Sequence, residues 1–401
     1  MLATCLGCGC ACDDIELQIE ANRIVAAGNA CALGAAWYGD GSVPSRAIVR
    51  GNESSLEDAL GSASAILTGA SRPLVFLAPD LSCEAQRGAI AIADTLRATI
   101  DSVTTASAVN SVLAAQEAGR ASATLGEIKN RADVVVFWGV DTARRYPRFW
   151  TRYAPEPAGV HVAGRRSRTV ISVDVGNGRG PEDADLRVAV TPDREVETLT
   201  ELTAALTLSG PRSGTALLDA LLEGKYIAIV VDAEADDEHP AERGRAAALT
   251  ALAQALNGPT RCALISLRGG GNRSGADACL TAQTGYPMAV DFARGYPRYR
   301  PHEGAAHRVK RGIDAVLIVG SAALMPADLA SAIDTTSVVV IGPRATAFAR
   351  AAVAIDTAIA GIHESGTALR MDDVPLPLGA AIAGPPAAAE IVARLGERLR
   401  Q

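Results

Sequence analysis

Short runs of apolar, mostly β-branched residues recur along the chain, and each ends at glycine, proline or a polar residue. Such runs are typical of strands that are buried on both faces, as in a parallel sheet. Longer stretches between them, at 82–98, 240–258 and 326–334, have the pattern of helices. This alternation predicts an α/β fold with Rossmann-like parallel-sheet domains. The predicted strands are 73–79, 133–139, 169–175, 226–232, 262–270, 315–321 and 337–343.

Residues 1–45 follow a different pattern. They are rich in cysteine and glycine, and they contain one short alternating segment, IELQIEANRIV. This composition predicts a small Cys-rich N-terminal subdomain that stands apart from the α/β domains.

Length and charge narrow the class of protein. The 401 residues suffice for two or three domains, and the formal net charge of −7 argues against general affinity for nucleic acid. No apolar run reaches the ~18 residues that cross a bilayer, and the N-terminus lacks the pattern of a secretory signal. We therefore expect a cytoplasmic protein without a membrane or nucleic-acid partner, in which thiols stay reduced.

The clustered cysteines are the first candidate for chemistry. Cys5, Cys8 and Cys12 are close in sequence, and Cys31 follows after eighteen intervening residues. Three close thiolates and one distant thiolate match the ligand set of a [4Fe–4S] cluster, and tetrahedral zinc would accept the same four. The alternative is a glycine-rich turn that carries thiols without a metal, as the remains of such a site. Cys10 lies inside this loop and is not assigned as a ligand.

Arginines form the second candidate. Four of them fall within RRYPRFWTR (144–152), three more within GRRSR (164–168), and a third group occupies 294–311. Guanidinium groups bind carboxylate or phosphate in a bidentate manner, so such groups favour an anionic partner. The alternative is a solvated surface whose local ion pairs contribute under ~1 kcal/mol each.

Several strings in the sequence resemble one family, the B subunits of formylmethanofuran dehydrogenases, a branch of the molybdopterin and tungstopterin oxidoreductases. The resemblance covers nearly the whole chain. It is carried by the cysteine loop with CDDIE (12–16), NRIV (22–25) and NACALG (29–34), and by SCEAQ (82–86), LGEIKNRADVVVFWG (125–139), TGYPMAVDFARGYPRYRP (284–301) and GIHESGTALRMDDVPLPL (361–378).

The chain departs from that family at its redox site. Redox members carry a cysteine that ligates tungsten or molybdenum, followed by a histidine, and the matching stretch DSVTTASAVNSVLAAQ (101–116) has Ser107 and Ala108 there. A hydroxyl is a harder and far less acidic ligand than a thiolate, and alanine has no acid–base group. In the arginine loop RGGGNRSG, Arg268 is retained but the aromatic residue and the histidine of redox members are glycines. We therefore expect no tungstopterin or molybdopterin.

This pattern is most similar to the B subunit of the formyltransferase/hydrolase complex of aerobic C1 metabolism. The resemblance implies a non-redox, structural component without catalytic residues of its own. The complex moves a formyl group from formyl-tetrahydromethanopterin to a methanofuran-type carrier and releases formate. Two alternatives stay open: an active tungsten or molybdenum formylmethanofuran dehydrogenase with Ser107 as the metal ligand, and a metal-binding adaptor without a role in C1 chemistry.

The resemblance also implies partners. These are three other components of the complex, one amidohydrolase-like, one β-helical and one a formyltransferase, together with the carrier and its polyglutamate tail. The arginines expected to contact that polyanionic carrier are Arg144, Arg145, Arg148 and Arg298.

The domain arrangement is likewise implied by the family. Residues 1–45 would form the cluster subdomain, and 46–150 with 286–375 an α/β domain. Residues 151–285 would form an inserted α/β domain, and 376–401 a C-terminal helix.

Overall fold

The computed structural model describes residues 1–207, 215–234 and 243–401. All seven strands predicted from apolar runs are present in it, and the predicted α/β class is confirmed. The described strands, in chain order, are β1 Leu2–Ala3, β2 Ile15–Glu20, β3 Arg23–Gly28, β4 Ala47–Val49, β5 Asn52–Ser54, β6 Pro73–Leu77, β7 Thr99–Ser102, β8 Val134–Trp138, β9 Thr169–Val175, β10 Leu186–Val190, β11 Ile227–Asp232, β12 Cys262–Leu267, β13 Val290–Asp291, β14 Arg298–Tyr299, β15 Ala315–Val319, β16 Ser337–Gly342, β17 Val353–Asp356, β18 Gly366–Leu369 and β19 Pro375–Leu378.

Helices separate most of the parallel strands. Several begin at a residue whose hydroxyl accepts a backbone N–H of the first turn, as Ser55 and Ser82 do, and such caps satisfy donors that the helix itself leaves unpaired. The predicted helix at 240–258 is observed from Arg243 onward, and its first three residues lie outside the described residues. The described helices are α1 Ala32–Tyr38, α2 Leu56–Gly69, α3 Cys83–Thr95, α4 Val103–Ser107, α5 Val109–Ala118, α6 Leu125–Arg131, α7 Thr142–Arg145, α8 Phe149–Arg152, α9 Glu195–Thr207, α10 Ala216–Glu223, α11 Arg243–Leu256, α12 Arg273–Thr284, α13 Ala305–Lys310, α14 Ala327–Ala332 and α15 Ala388–Leu399.

The chain forms two compact units, each with its own sheet. The first unit consists of Met1–Ala106 and Gly270–Gln401, and the second of Ser107–Gly269. Five parallel strands in the order β7-β6-β15-β16-β17 form the centre of the first unit's sheet, with antiparallel pairs at both edges. The second unit has a wholly parallel sheet in the order β10-β9-β8-β11-β12.

These two strand orders each contain one point where the chain reverses its direction of travel across the sheet. In the first unit it lies between β6 and β15, and in the second between β8 and β11. Open α/β sheets bind ligands outside the carboxyl ends of strands at such points. The strand orders therefore define where a site would be expected in each unit.

The structure differs from the domain boundaries that the family implied. The stretch 133–150 was assigned to the first α/β domain, but β8 pairs in parallel with both β9 and β11 and so lies inside the second unit's sheet. Residues 273–284 were assigned to the inserted domain, but α12 packs against α3 in the first unit. The pairing of β8 and the packing of α12 set these boundaries, and both depend on segments that are distant in sequence.

The terminal segments belong to the first unit as well. Residues 1–45 contain their own three-stranded antiparallel sheet, β1-β2-β3. The segment 376–401 is helical only over α15, which packs against α2 and α3. Among the described helices, none combines the length and the apolar character needed to span a membrane.

Candidate functional site

The predicted cysteine ligands lie in one loop before β2 and at the start of α1. The N–H of Cys5 donates to the carbonyl oxygen of Cys12 at 2.8 Å, which closes the loop. Cys5, Cys8 and Cys12 are buried, and Cys31, just before α1, is half-buried. Folding therefore brings the two segments that carry the predicted ligands to one place.

The thiols influence one another electrostatically. Burial raises the pKa of the Cys5 thiol to about 12, against the hydrogen bond that the N–H of Gly7 donates to its sulfur at 3.3 Å. Repulsion from the thiolates of Cys8, Cys12 and Cys31 raises this pKa further, which requires that the four thiols be close neighbours. In the described part of the chain, however, no three Cys, His, Asp or Glu side chains are arranged to hold a metal ion.

Two polar groups beside this loop have no hydrogen-bond partner among the described residues. They are the hydroxyl of Tyr38 and the indole N–H of Trp37, both buried. Trp37 packs against a small apolar cluster that includes Ala11 of the loop. Burial raises the pKa of the Tyr38 hydroxyl above its usual range, and the thiolates of Cys5 and Cys12 raise it further. A buried donor without an acceptor costs about 1–3 kcal/mol, and the sulfurs of an iron–sulfur cluster would accept such hydrogen bonds.

The position at which the sequence resemblance expects a metal-ligating cysteine lies at the break between α4 and α5. Ser107 ends α4 and is half-buried, and Ala108 is fully buried before α5. These side chains place a hydroxyl and a methyl group where the family's thiolate and imidazole are expected. Neither can serve as a soft metal ligand or as an acid near neutral pH.

The carboxylate of Asp101 fixes the segment that leads to this position. It accepts the Thr105 hydroxyl at 2.5 Å, the N–H of Ser102 at 2.9 Å and the N–H of Ala305 at 2.7 Å. A fourth donor, the N–H of Ala289, lies at 3.2 Å. Burial raises the Asp101 pKa to about 6 although these donors oppose the shift. The backbone that leads to Ser107 is thus held in place by a buried carboxylate.

Close packing explains why two positions of the arginine loop are glycine in this chain. A Cβ atom at Gly270 would lie 2.7 Å from the carbonyl oxygen of Gly7, and one at Gly271 would lie 2.3 Å from the carbonyl oxygen of Pro79. The N–H of Gly271 also donates to the carbonyl oxygen of Leu6 at 2.8 Å. The loop therefore packs against the cysteine loop so closely that an aromatic residue or a histidine cannot replace either glycine without a backbone shift.

A charged cluster lies at the carboxyl ends of the central strands of the second unit. Asp232 ends β11, and Arg145 donates to its carboxylate at 2.5 Å while the Tyr146 hydroxyl donates at 3.1 Å. Arg268, just after β12, donates to Glu234 at 3.2 Å, and only 10% and 3% of these two side chains are exposed. This cluster lies at the switch point between β8 and β11. The guanidinium groups there bind carboxylates of the same chain.

Burial dominates the ionisation of this cluster. It raises the Asp232 pKa to about 6, and the Arg145 guanidinium counteracts part of the shift. Burial and the Asp232 carboxylate also raise the pKa of Tyr146 well above its usual range. The sequence predicted neither carboxylate as a site residue, although an acid that directly follows the apolar run 226–231 was a usable signal.

The four arginines predicted to contact a carrier are divided between the two units. Arg144 is exposed in α7, Arg148 is half-buried before α8, and Arg145 is paired as described. Arg298 lies on β14 in the first unit. The four residues therefore do not form one cluster within a unit.

The comparisons with known proteins agree with the resemblance seen in the sequence. No family model matches the chain. It is 32% identical over 400 residues to the B subunit of the tungsten-containing formylmethanofuran dehydrogenase 2 of Methanocaldococcus jannaschii, covering 93% of the chain and 92% of that protein. It is 30% identical over 407 residues to the protein of the same description from Methanococcus maripaludis, covering 95% and 93%.

A solved structure has the same fold. The crystal structure of the formyltransferase/hydrolase complex of Methylorubrum extorquens with methylofuran contains a chain that matches with a TM-score of 0.71 at 23% identity. The match covers 88% of this chain and 98% of that chain. The sequence matches to the two archaeal proteins extend over nearly the full length of all three. The chain therefore belongs to the family of formylmethanofuran dehydrogenase B subunits.

Proposed function

We propose that this chain is a non-redox structural subunit of a formyltransferase/hydrolase complex that works in the cytoplasm. The complex would move a formyl group from formyl-tetrahydromethanopterin to a methanofuran-type carrier and then release formate. The observation that carries the proposal is the pair Ser107 and Ala108 at the break between α4 and α5. Family resemblance places the thiolate ligand and the histidine of redox members there.

The rest of the second unit supports this assignment. A redox member needs its cationic groups for the phosphates of the pterin dinucleotide. Here the arginines at the β8/β11 switch point bind Asp232 and Glu234 of the chain itself. We therefore propose that tungstopterin and molybdopterin are absent from the working protein.

Partners follow from the proposed complex. We propose that the chain assembles with three other polypeptides, one amidohydrolase-like, one β-helical and one a formyltransferase, which supply the chemistry. The carrier's polyglutamate tail would meet arginines, and the candidates remain Arg144, Arg145, Arg148 and Arg298, of which Arg145 already binds the Asp232 carboxylate at 2.5 Å.

For the cysteine loop we propose a [4Fe–4S] cluster with a structural role. Cys5, Cys8, Cys12 and Cys31 would each bind one iron, since an iron of such a cluster takes one thiolate. The ligands would join the loop to α1 and so stabilise a region with little regular structure. Zinc in the same place is the alternative, and metal and sulfide analysis of anaerobically purified protein distinguishes the two.

The second candidate function is an active dehydrogenase with Ser107 as metal ligand. It is favoured by the identity of 32% to a tungsten-containing enzyme. Elemental analysis of the purified native complex tests both candidates. We expect no stoichiometric tungsten, molybdenum or pterin, together with release of formate from formyl-tetrahydromethanopterin. Stoichiometric tungsten or molybdenum with viologen reduction by formylmethanofuran would overturn the proposal and establish the second candidate.

A further inference from the structure

We propose that Cys83 and Cys279 form a peroxide-reactive dithiol, which closes to a disulfide between α3 and α12. Both residues belong to the first unit. Cys83 is the first residue of α3, and Cys279 lies within α12. Neither residue is part of the cysteine loop, and the function proposed above gives neither of them a role. The proposal therefore holds whether or not the chain belongs to a formyltransferase/hydrolase complex.

The two thiols are in contact although they are 196 positions apart in sequence. Helices α3 and α12 pack against each other. The Cys279 thiol forms a hydrogen bond with the Cys83 thiol, and the Cys279 sulfur lies 3.7 Å from the carbonyl oxygen of Cys83. Side chains that point at each other across a helix contact meet the first geometric condition for a disulfide.

The surroundings of Cys83 favour its thiolate. The side-chain amide of Asn272, a fully buried residue, donates to the Cys83 sulfur at 3.4 Å. The first turn of α3 adds the positive end of the helix dipole. The hydrogen bonds from Cys279 and from Asn272 lower the pKa of the Cys83 thiol below its usual range, although burial opposes the shift. Cys83 is thus the nucleophile and Cys279 the thiol that resolves its oxidised form.

Cys262 provides a contrast within the same chain. It is 4% exposed, against 3% for Cys83 and 6% for Cys279, so the three residues are buried to a similar degree. Burial raises the pKa of the Cys262 thiol to about 12, and a thiol with such a pKa stays protonated near neutral pH. Burial therefore does not distinguish the two sites, whereas hydrogen bonding to the sulfur does.

Burial also determines which oxidants can react with the pair. The rate at which a thiolate attacks its oxidant depends on access as well as on its pKa. Hydrogen peroxide is small and uncharged, so it can enter a packed helix contact during small local openings. A bulky aromatic disulfide would require the two helices to separate. The substrate class that fits the site is therefore a small hydroperoxide.

The reaction has two steps. The Cys83 thiolate attacks one oxygen of hydrogen peroxide, an S–O bond forms, and the O–O bond breaks to give a sulfenic acid and hydroxide. The Cys279 sulfur then attacks the Cys83 sulfur, the S–S bond forms, and the S–O bond breaks. The departing hydroxide takes the proton of Cys279, and the first hydroxide takes the proton that Cys83 released. The two sulfurs lose two electrons, and the peroxide becomes two water molecules.

Peptide mapping by mass spectrometry without reduction tests the proposal on the full-length protein after peroxide treatment. We expect one cross-linked pair of peptides that contains Cys83 and Cys279 and has lost the mass of two hydrogens. It should form at least about tenfold faster than Cys262 is oxidised, because the reactive species is the thiolate. An aromatic disulfide reagent should modify the folded protein at neither Cys83 nor Cys279.

Two variants separate the roles of the thiols. Cys279→Ala should abolish the cross-link and leave Cys83 as a sulfenic acid that dimedone traps. The control is Cys262→Ala, which removes a similarly buried thiol and should leave the rate of cross-linking unchanged. Circular dichroism establishes that each variant is folded. If Cys279→Ala does not fold, the comparison of Cys83 with Cys262 in the wild-type protein decides the proposal.

Three results would overturn the proposal: no cross-link in the folded wild-type protein, oxidation of Cys83 no faster than that of Cys262, or a cross-link from Cys83 to the cysteine loop. The cross-linked protein should also melt several degrees above the same sample reduced with dithiothreitol, because a disulfide that closes a long loop restricts the unfolded chain. An equal or lower melting temperature would show that the bond distorts the helix contact, and would also refute a site suited to it.

Discussion

At the scale of single residues, the hydroxyl of Tyr38 is a buried donor without an acceptor among the described residues. Tyr38→Phe should therefore raise the stability of the metal-free protein by about 1 kcal/mol, because the substitution removes an unsatisfied polar group. Urea unfolding measures the change. The matched control is Tyr146→Phe, which removes a hydroxyl that donates to Asp232 at 3.1 Å and should lower stability. A loss of stability in metal-free Tyr38→Phe would contradict this account of the hydroxyl.

Protonation of the His363 ring should make the stability of the protein depend on pH. Its Nε2 lies 2.8 Å from the carbonyl oxygen of Gly41, which can only accept, so Nε2 carries the proton. Its Nδ1 accepts the N–H of Ile359 at 3.3 Å and therefore must be unprotonated. Burial lowers the His363 pKa, against the hydrogen bond to Gly41. The contribution of the neutral ring is thus present above the unfolded pKa of about 6.5 and is lost as pH falls through the lower folded pKa.

We therefore expect the wild-type protein to lose more stability on going from about pH 7.5 to about pH 5.5 than His363→Gln does. Glutamine has no titratable group, so the variant removes this proton linkage while leaving the other groups in place. Denaturant unfolding at the two pH values gives the comparison. Identical pH dependence of the two proteins would show that His363 contributes nothing to it.

At the scale of elements, Asp101 joins three segments of the first unit by accepting four hydrogen bonds. Asp101→Asn replaces one acceptor oxygen by an NH₂ group and so leaves buried donors unpaired. The expected destabilisation is about 2–4 kcal/mol, since each unpaired donor costs about 1–3 kcal/mol. The control is Asp314→Asn, because Asp314 also accepts two backbone N–H groups but at an exposed position, and its loss should cost less. Equal destabilisation in both variants would contradict the role assigned to burial.

The contact between the arginine loop and the cysteine loop gives a second prediction about elements. Gly270→Ala places a Cβ atom 2.7 Å from the carbonyl oxygen of Gly7, so one loop must shift. We expect a loss of about 1–3 kcal/mol in thermal or denaturant unfolding. Gly69→Ala in α2 is the control, because a Cβ atom there meets nothing within 4 Å and alanine favours helix. That variant should be neutral or slightly stabilising.

A helix or strand can be predicted from the sequence where its own residue pattern is enough to identify it. The run VVVFW at 134–138 is buried on both faces, and five consecutive apolar, mostly β-branched residues of this kind are typical of a central parallel strand. The strands β13 and β14, of which β14 is the edge strand, have two residues each and form only because β13 pairs with β7 and the two pair with each other. Such pairing is a property of distant segments, so no local pattern marks these strands.

At the scale of the whole molecule, candidate sites that depend on contacts between distant segments are also not predictable from local sequence. The arginine-rich segment 144–152 was expected to meet an external anion, whereas Arg145 binds Asp232, 87 residues further along the chain. The predicted cysteine ligands could be found in the sequence because all of them except Cys31 are close together in it. Tyr38 and Trp37 could not be predicted as site residues from the sequence. Only folding buries their polar groups beside the cysteine loop, where they have no acceptor among the described residues.

Both sheets have a carboxylate bound to the chain itself at their switch points. In the first unit Asp80, after β6, accepts the N–H of Ser321, after β15, at 2.9 Å. In the second unit Glu234 and Asp232 bind arginines that follow β12 and β8. These are the positions where α/β sheets of these strand orders bind ligands. Each unit thus has a carboxylate at this point that is bound within the chain itself.

This arrangement can be tested at the buried pair of Glu234 and Arg268. Glu234→Gln removes the negative charge beside the Arg268 guanidinium group, which is 10% exposed, and should lower the free energy of unfolding by about 3 kcal/mol. Arg268→Met in the same chain also removes the buried positive charge and should recover much of that loss. A double-mutant cycle in denaturant measures the coupling. If the pair instead served mainly to bind an external anion, Glu234→Gln would leave stability unchanged and would tighten the binding of pyrophosphate, and this result would contradict a structural role for the pair.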